Sequence, residues 1–339
     1  MDINEIPAFE RGMNVSVTIP VFNAAEFVRQ AVESVLIQPE VVEVVLVEDS
    51  STDASWEVCQ KLAVEYPKIH LYRHPDGKNH GCSASRNLAV QRSTCEYIAF
   101  LDADDFYLPN RFKKAKQMFE ADSELDGVYE AIQMYVEDEA SLQRWKKAGR
   151  AIGALHTVTK RVLPEDLFSV LVNGGSGSFT VDGLVLKRTV FDKIGFFNQD
   201  LPLHMDDIFF IKAAALAKLM PGSLDKPVAM WRVHDHNRIS AQRPKSMIYK
   251  MKLIFWYTLW EWSLTRLTRE QQRMLMQALV KEAKFRLRFD QPFPGHLSGL
   301  QQRIQLLLLP FNYPKVMLQS IYWRAFLISP DFWLGKLRK

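Results

Sequence analysis

The sequence predicts an α/β protein with a mostly parallel sheet, followed by a helical C-terminal extension. Over the first hundred residues, short apolar segments alternate with segments of helical periodicity, the pattern of a parallel sheet with helices on its faces. Polar clusters follow three of the predicted strands, and an open α/β sheet binds its ligands at such strand ends. After residue 240 the composition changes to aromatic and basic residues that suit helices.

Four strands and three helices are predicted over the first hundred residues. The strands are Val15–Val21, Val42–Val47, Ile69–Tyr72 and Tyr97–Leu101. The first helix follows Asn23, which matches a capping box with Glu26 three positions later. Thr52 or Asp53 is predicted to cap the second helix, and the third covers Ser83–Gln91.

The second half has longer connections between its predicted elements. The helices are Pro109–Ala121 and Asp207–Leu219, and the strands are Gly127–Val136, Phe179–Leu186 and Val228–Val233. Residues 137–163 carry mixed charge and are interpreted as a mobile insertion, and residues 173–178 as a flexible loop. Two more helices, joined near Thr268, are predicted over residues 245–290.

Composition restricts the class of protein. The 339 residues are 47% hydrophobic and 24% charged, which excludes a globally disordered chain. A net charge of +4 is too small to indicate nucleic acid, so no nucleic-acid partner is expected. Three cysteines do not make a disulfide framework, and the first twelve residues do not form a signal peptide. With no apolar run long enough to span a bilayer, the expectation is a cytoplasmic protein.

The segment Asp102–Asp105 holds three carboxylates within four residues. Such charges repel one another, and a strand end has little reason to hold them together unless a cation neutralises them. Oxygen ligands suit Mg²⁺ or Mn²⁺, and such an ion would bind the diphosphate of a nucleotide. The alternative is a solvated acidic turn in which Asp105 caps the next helix, but the apolar strand directly before the segment favours the metal.

A second polar cluster, Glu48–Asp53, follows another predicted strand. It is consistent with a turn and a helix N-cap, yet Asp49 can also accept the imide N–H of a uracil or thymine ring. Arg86, in the segment Gly81–Asn87, lies near a predicted helix start, where its guanidinium could reach a base or a phosphate oxygen. The alternative for Arg86 is a surface arginine.

Four segments in this order resemble the nucleotide-binding half of glycosyltransferase family 2, which has the GT-A fold. They are Val17–Asn23, Val47–Asp53, Gly81–Asn87 and Asp102–Asp105. Each motif alone is weak, but four in order at these spacings are a strong match. The clear resemblance covers residues 14–112, the nucleotide-binding half. It continues loosely through an acceptor-side half, 113–240, so we expect a catalytic domain over 10–240 and a helical extension over 241–339.

The resemblance implies a role for each matched residue. Those lining the base and ribose pocket would be Pro20, Phe22 and Asn23, with Phe22 in place of a frequent tyrosine. Asp49 would accept a hydrogen bond from a pyrimidine base, and Arg86 would lie beside the nucleotide. Asp102 would contact ribose or metal, and Asp104 would be the main ligand of Mg²⁺ or Mn²⁺.

Two later segments resemble the acceptor side of the family. Val190–Phe197 is similar to the segment that precedes the family's Glu-Asp pair, where this chain has Asp206 and Asp207. The resemblance makes Asp207 the general base, with Asp206 in the place of the glutamate, and a like-charged pair suits proton abstraction from a hydroxyl. A doubled helix N-cap, or a base one position earlier, is the alternative. Trp231–Ser240 resembles a segment whose histidine completes the metal site in relatives.

That histidine is His234 in this chain, with an ordinary loop histidine as the alternative. The Gln-x-x-Arg-Trp motif of processive synthases does not follow the predicted base, because the nearest match, Gln143–Trp145, has the wrong spacing and precedes it. The resemblance therefore implies an inverting enzyme that adds one sugar, with a UDP-sugar favoured as donor. The implied acceptor is a glycan or lipid-linked hydroxyl in cell-surface polysaccharide or lipopolysaccharide assembly.

Two other functions are compatible with such a fold. One is a nucleotidyltransferase, against which the Asp206–Asp207 pair and the Trp231–Ser240 segment argue. The other is a non-catalytic module that binds nucleotide-sugars, against which the intact Asp102, Asp104 and Asp207 argue. Residues 300–339 mix aromatic and basic side chains, which suits peripheral contact with the inner membrane face. Packing on the catalytic domain or a homodimer contact is the alternative.

Overall fold

The computed structural model describes residues 12–137, 142–143, 153–201, 203–234, 244–286 and 315. Residues 138–141 and 144–152 of the predicted insertion over 137–163, part of the segment Trp231–Ser240 and nearly all of the 300–339 tail lie outside the described residues. The chain forms two compact units, Met1–Ala241 and Gln242–Lys339.

The first unit contains eleven described strands and seven described helices. The strands are β1 Val15–Val21, β2 Val41–Glu48, β3 Ile69–Arg73, β4 Tyr97–Phe100, β5 Phe106–Tyr107, β6 Gly127–Tyr129, β7 Ile132–Val136, β8 Leu155–His156, β9 Leu184–Lys187, β10 Leu219–Pro221 and β11 Ala229–Val233. The helices are α1 Val28–Leu36, α2 Ser55–Glu65, α3 Cys82–Arg92, α4 Lys113–Ala121, α5 Pro164–Asn173, α6 Val190–Ile194 and α7 Met205–Leu216.

Seven strands form the main sheet, in the order β10-β6-β9-β4-β1-β2-β3. Neighbouring strands pair in parallel except at β9, which is antiparallel to both β4 and β6. Every residue of β1 is buried, as expected for a strand with helices on both faces of its sheet. The carboxyl ends of β1, β2 and β4 therefore lie at one edge of the sheet. The predicted α/β fold with a mostly parallel sheet is confirmed.

A smaller sheet has the order β5-β11-β7-β8. Here β11 pairs in parallel with β7 and antiparallel with β5, which directly follows the acidic segment Asp102–Asp105. Through this pairing the second half of the chain reaches the acidic segment. The strand predicted over Gly127–Val136 is two strands in different sheets. The chain crosses between them at Glu130, whose carboxylate forms a fully buried ion pair with Arg111 at 2.8 Å.

Two predicted helix caps are wrong, and so is the alternative that Asp105 caps a helix. Asn23 does not cap α1, because residues 24–27 form a turn and the helix begins at Val28 without a side-chain cap. Asp105 does not cap α4, which begins at Lys113. The N-cap position of α2 is Ala54 rather than Thr52 or Asp53, although Asp53 does accept the N–H of Ser55 at 2.9 Å.

The second unit contains two packed helices, α8 Lys245–Ser263 and α9 Arg269–Arg286. Trp260 and Leu275 are among its buried apolar side chains. At the turn, Thr268 and Gln271 form a capping box: the Thr268 N–H donates to Gln271, and the Gln271 N–H donates back to the hydroxyl. Among the described residues, no helix has the length and apolar character needed to cross a membrane.

Candidate active site

The acidic segment lies directly after β4, at the carboxyl edge of the main sheet. Carboxylate oxygens of Asp102, Asp104 and Asp105 lie within 4.8 Å of one another. The side chains of Asp102 and Asp104 are partly exposed, whereas Asp105 is buried. The backbone N–H of Asp102 donates at 2.9 Å to Asp182, a buried residue that comes shortly before β9. The strand end is thus fixed, and two acids of the segment can face a ligand.

Strand β11 brings a histidine to this segment. The Nε2 atom of His234 is 3.0 Å from Oδ2 of Asp104, and its ring packs at 4.6 Å on Phe27. Arg232, two residues earlier, donates its backbone N–H to Asp105 at 2.8 Å and its Nε–H to the carbonyl of Asp104 at 2.9 Å. The second half of the chain is therefore bonded to the acidic segment by both backbone and side chain.

These residues fit a divalent cation. The exposed carboxylates of Asp102 and Asp104 are hard oxygen donors, and an imidazole nitrogen stands beside them. The two carboxylates together with the imidazole suit Mn²⁺, and the carboxylate oxygens also suit Mg²⁺. Asp105 is less suited as a ligand, since it is buried and one of its oxygens accepts from Arg232.

Arg86 is not a surface arginine, and the structure gives it protein partners. Its guanidinium is 2% exposed; Nη1 donates to Oδ1 of Asp206 at 2.7 Å, and Nη2 donates to Oδ1 of Asp102. Burial lowers the pKa of Arg86, but attraction to Asp102 and Asp206 outweighs that effect and raises the pKa above its ordinary value. One buried cation thus joins the acidic segment to the first turn of α7.

Helix α7 begins at Met205, and its first turn holds both predicted catalytic acids. Its N-cap residue is His204, with a left-handed φ of 63°, so the doubled N-cap interpretation of Asp206 and Asp207 is wrong. Asp206 accepts from Arg86, whereas Asp207 lies 3.0 Å from Nδ1 of His204 and keeps 45% of its side chain exposed. Adjacent acids of like charge therefore have different surroundings.

Asp49 follows β2 and orders the turn before α3. Its two carboxylate oxygens accept the backbone N–H groups of His80 and Gly81, each at 2.8 Å, and its carbonyl accepts from Asn79 at 2.9 Å. The carboxylate is buried, with Nε2 of His74 at 3.6 Å. Burial is the main reason that the pKa of His74 is lowered. Asp49, which was predicted to contact a base, thus also fixes the loop that leads into α3.

The other predicted pocket residues lie at the end of β1. Pro20 is buried within the strand, while Phe22 is 49% exposed and Asn23 is exposed. Asn23 adopts a left-handed φ of 50°, and its side-chain oxygen accepts the N–H of Thr52 at 2.8 Å. The loops after β1 and β2 are therefore bonded together, with an exposed aromatic ring beside them.

Sequence reasoning missed three residues of this region. Asp182 holds the end of β4, His204 contacts Asp207, and His156 on β8 lies near enough for Asp207 to influence its ring. A charged residue inside the apolar stretch Phe179–Leu186 was the one available signal for Asp182. Neither histidine belongs to a recognisable motif.

The mostly parallel sheet, with an acidic segment at its carboxyl edge and a second sheet beside it, defines the GT-A class of transferase folds. Residues 16–195, more than half of the chain, match the family model described as "Glycosyl transferase family 2". The chain belongs to glycosyltransferase family 2, as its sequence motifs predicted.

Curated relatives are described as glycosyltransferases. The chain is 30% identical over 202 residues to one from Rickettsia felis, covering 58% of this chain and 31% of that protein. It is 28% identical over 232 residues to one from Nostoc sp., covering 66% of each. The aligned part thus spans about a third of the Rickettsia protein and about two thirds of the Nostoc protein.

Solved structures share the fold at low sequence identity. TarS of S. aureus, in complex with UDP-GlcNAc, superposes with a TM-score of 0.56 at 17% identity and covers 89% of this chain and 92% of that chain. The mannosyltransferase PcManGT from Pyrobaculum calidifontis, in complex with GDP-Man and Mn²⁺, gives a TM-score of 0.50 at 16% identity, covering 98% and 90%. These similarities agree with the GT-A fold.

Proposed function

We propose that this chain is an inverting glycosyltransferase that moves one sugar from a nucleoside-diphosphate sugar to an acceptor hydroxyl. One arrangement carries the proposal: Asp102 and Asp104, with His234, face the same edge of the sheet as the first turn of α7, and Arg86 joins the two sides. A donor site and a base are thereby held within one rigid framework, which is what catalysis by proximity requires.

Asp207 is the proposed general base. Asp206 is bonded to a buried arginine at 2.7 Å, so protonating it would weaken an ion pair that the fold uses. Asp207 is nearly half exposed, and its neighbour is His204, whose ring is itself partly exposed. A base must reach the proton that it removes, and Asp207 has the better access.

Asp102, Asp104 and His234 are the residues that would hold Mg²⁺ or Mn²⁺. When bound, such an ion supplies positive charge that stabilises the leaving nucleoside diphosphate. The protein's own part is to keep these donors at the end of β4 and β11. Asp207 takes the proton of the acceptor hydroxyl while the hydroxyl oxygen attacks the anomeric carbon and the nucleoside diphosphate leaves. This single displacement inverts the configuration.

We further propose a UDP-sugar, of hexosyl or N-acetylhexosaminyl type, as donor. The sequence motif around Asp49 is the one that implies a pyrimidine base, and TarS, which shares the fold, was solved with UDP-GlcNAc. Both carboxylate oxygens of Asp49 already accept a backbone N–H, so a pyrimidine would share Asp49 with the loop before α3. PcManGT was solved with GDP-Man, so a guanine nucleotide is the competitor to test. For the acceptor we propose a glycan or lipid-linked hydroxyl in cell-surface polysaccharide assembly. The hyaluronan synthase of Pasteurella multocida, 34% identical over 128 residues, supports that context.

The test is a screen of UDP-sugars and GDP-sugars with Mn²⁺ or Mg²⁺, in which the released product is identified. Release of nucleoside diphosphate, with a new glycoside of inverted configuration, is expected. Release of pyrophosphate from a nucleoside triphosphate and a sugar phosphate would instead identify a nucleotidyltransferase. Donor binding without any release would identify a non-catalytic module.

The base is tested with Asp207→Asn against Asp206→Asn. Asp207→Asn should reduce turnover by about 10²-fold or more, because positioned general bases contribute about that much, while donor binding stays. Asp206→Asn keeps an oxygen that can accept from Arg86, so it should reduce turnover less than Asp207→Asn does. The opposite ranking would move the base to Asp206.

A further inference from the structure

Arg86 lies between the acidic segment and α7, and we infer that it is a positioning residue. By binding Asp102 with one nitrogen and Asp206 with the other, it sets where Asp207 stands relative to the donor site. This role rests on the proposed function and differs from that of an arginine that binds the nucleotide.

The guanidinium is suited to this task. It is planar, with its donors in a fixed fork, so two carboxylates bound to its two terminal nitrogens are held in defined directions. At 2% exposure it cannot be left without partners, since an unpaired buried charge is strongly unfavourable. The link therefore resists thermal opening more than an exposed ion pair would.

The neighbouring residue strengthens the same connection. Asn87 donates to the carbonyl of Phe197 and accepts the N–H of Phe197, both at 2.9 Å. The ring of Phe197 stacks on Phe209 of α7, with centroids 4.1 Å apart and planes at 13°. Helix α3 is thus connected to α7 twice, directly through Arg86 and indirectly through Asn87.

The start of α7 needs such an anchor. His204, the residue before the helix, has a left-handed φ of 63°, a backbone conformation that residues other than glycine rarely adopt. Asp207 is only three residues further on, so a change in the first turn would displace its carboxylate. Weakening the bonds from Arg86 to Asp102 and Asp206 should therefore lower the catalytic rate and make the first turn of α7 less ordered, while donor affinity is kept.

The experiment compares Arg86→Lys with Arg188→Lys. Lysine keeps the charge but cannot present a fork to both carboxylates. Arg188 is the matched control, since it donates to the carbonyls of Cys95 at 3.0 Å and Val90 at 3.1 Å, near the other end of α3. Hydrogen–deuterium exchange of the peptide covering residues 203–216 is measured in each protein, together with kcat and the dissociation constant of the donor.

Arg86→Lys should speed exchange in that peptide and lower kcat by about 10²-fold, the contribution of a positioned base, with donor affinity unchanged. Arg188→Lys should leave the exchange of this peptide as in the wild type. Asp206→Ala, which removes only the α7 side of the link, should speed exchange in the same way and serves as the second variant if Arg86→Lys does not fold.

Two results would overturn the inference. One is wild-type exchange in residues 203–216 of both Arg86→Lys and Asp206→Ala. The other is an Arg86→Lys protein with weaker donor binding and unchanged kcat at saturating donor, which would make Arg86 a donor-binding group. The exchange measurement requires no turnover. It therefore separates this inference from the proposed function, which fails if the donor screen yields no new glycoside.

Discussion

Buried carboxylates near the amino end of β2 and beyond the carboxyl end of β4 have opposite surroundings. At the amino end, Glu43 of β2 accepts hydrogen bonds from the hydroxyl of Ser16 and from the backbone N–H groups of Thr94 and Cys95. Burial by itself raises the pKa of Glu43, but these hydrogen bonds outweigh it and leave that pKa below its usual value. Three donors thus converge on one oxygen, Oε1, of this buried carboxylate.

At the carboxyl end, carboxylates stand close to one another. Burial, followed by repulsion from Asp182, raises the pKa of Asp105 well above its ordinary value. Burial and then repulsion from Asp102 raise the pKa of Asp182 to about 7. Glu43 near the amino end of β2 therefore contributes to stability, whereas the like charges of Asp102, Asp105 and Asp182 beyond β4 are held together at a cost in stability. Such a cost is characteristic of functional sites.

Backbone conformation shows the same contrast. Four described residues other than glycine have a left-handed φ, and three of them lie in the loops of the candidate site: Asn23, Ser50 and His204. Strained backbone of this kind persists where surrounding contacts enforce it and is frequent at functional sites.

Asp104→Ala should reduce turnover by about 10³-fold, the scale of losing one strong electrostatic stabiliser of the transition state, and should leave folding intact. A chelator should reduce wild-type turnover in the same way. The measurement is release of nucleoside diphosphate with and without chelator. Asp122→Ala is the control, because that partly exposed acid lies outside the candidate site and pairs with Lys218 at 2.6 Å. Full activity of Asp104→Ala in chelator would remove the metal role.

Glu43→Gln should lower the free energy of unfolding by about 1.5–3 kcal/mol at pH 7, the usual contribution of hydrogen bonds to a charged group. Its kcat should not change. Urea-induced unfolding measures the difference, with Glu33→Gln, an exposed acid paired with Arg29, as the control. A loss of turnover without a loss of stability would contradict the division between the two ends.

The stability difference between wild type and Glu43→Gln should also depend on pH. The pKa of Glu43 is lower in the folded protein than its usual value of 4.5, so its stabilising effect is full above pH 4.5 and is lost as the pH falls through the folded pKa. The difference in unfolding free energy between wild type and Glu43→Gln should shrink correspondingly in acid. A difference that stays constant down to pH 3 would show that ionisation of Glu43 contributes nothing.

His204→Asn should lower kcat by about tenfold, equivalent to one hydrogen bond of about 1.4 kcal/mol. Asparagine tolerates the left-handed backbone at this position but replaces the ring that contacts Asp207 at 3.0 Å. Single-turnover kinetics at saturating donor measure the effect. An unchanged rate would show that His204 serves the backbone alone.

Asn23→Gly should cost about 1 kcal/mol of stability, because glycine keeps the left-handed φ and the lost contacts are the exposed hydrogen bonds from the N–H and the hydroxyl of Thr52. Asn23→Ala should cost more, since it adds the strain of a left-handed alanine. Thermal unfolding of both variants checks the order. Equal losses would show that the backbone conformation at residue 23 carries no strain.

Local pattern alone predicted much of the architecture. The strands of the first half were placed within one or two residues, because a buried strand in a parallel sheet is a continuous apolar run that local sequence reveals. Helix starts were less predictable. The turn over residues 24–27 depends on contacts with the loop after β2, so the apparent capping box at Asn23 was misleading. The strand change at Glu130 likewise depends on its pairing with Arg111.

By itself, the sequence determined the family, the acidic segment Asp102–Asp105 and the adjacent acids of α7, since each is a short local motif that a strand end or helix start displays. Only the tertiary structure decided how these motifs are joined. Arg86 meets Asp206 across 120 residues of chain, and Asp104 meets His234 across 130. Such contacts depend on how the sheets close on each other. Adjacent acids that look alike in sequence thereby differ in their surroundings, with Asp206 held by a buried cation and Asp207 nearly half exposed.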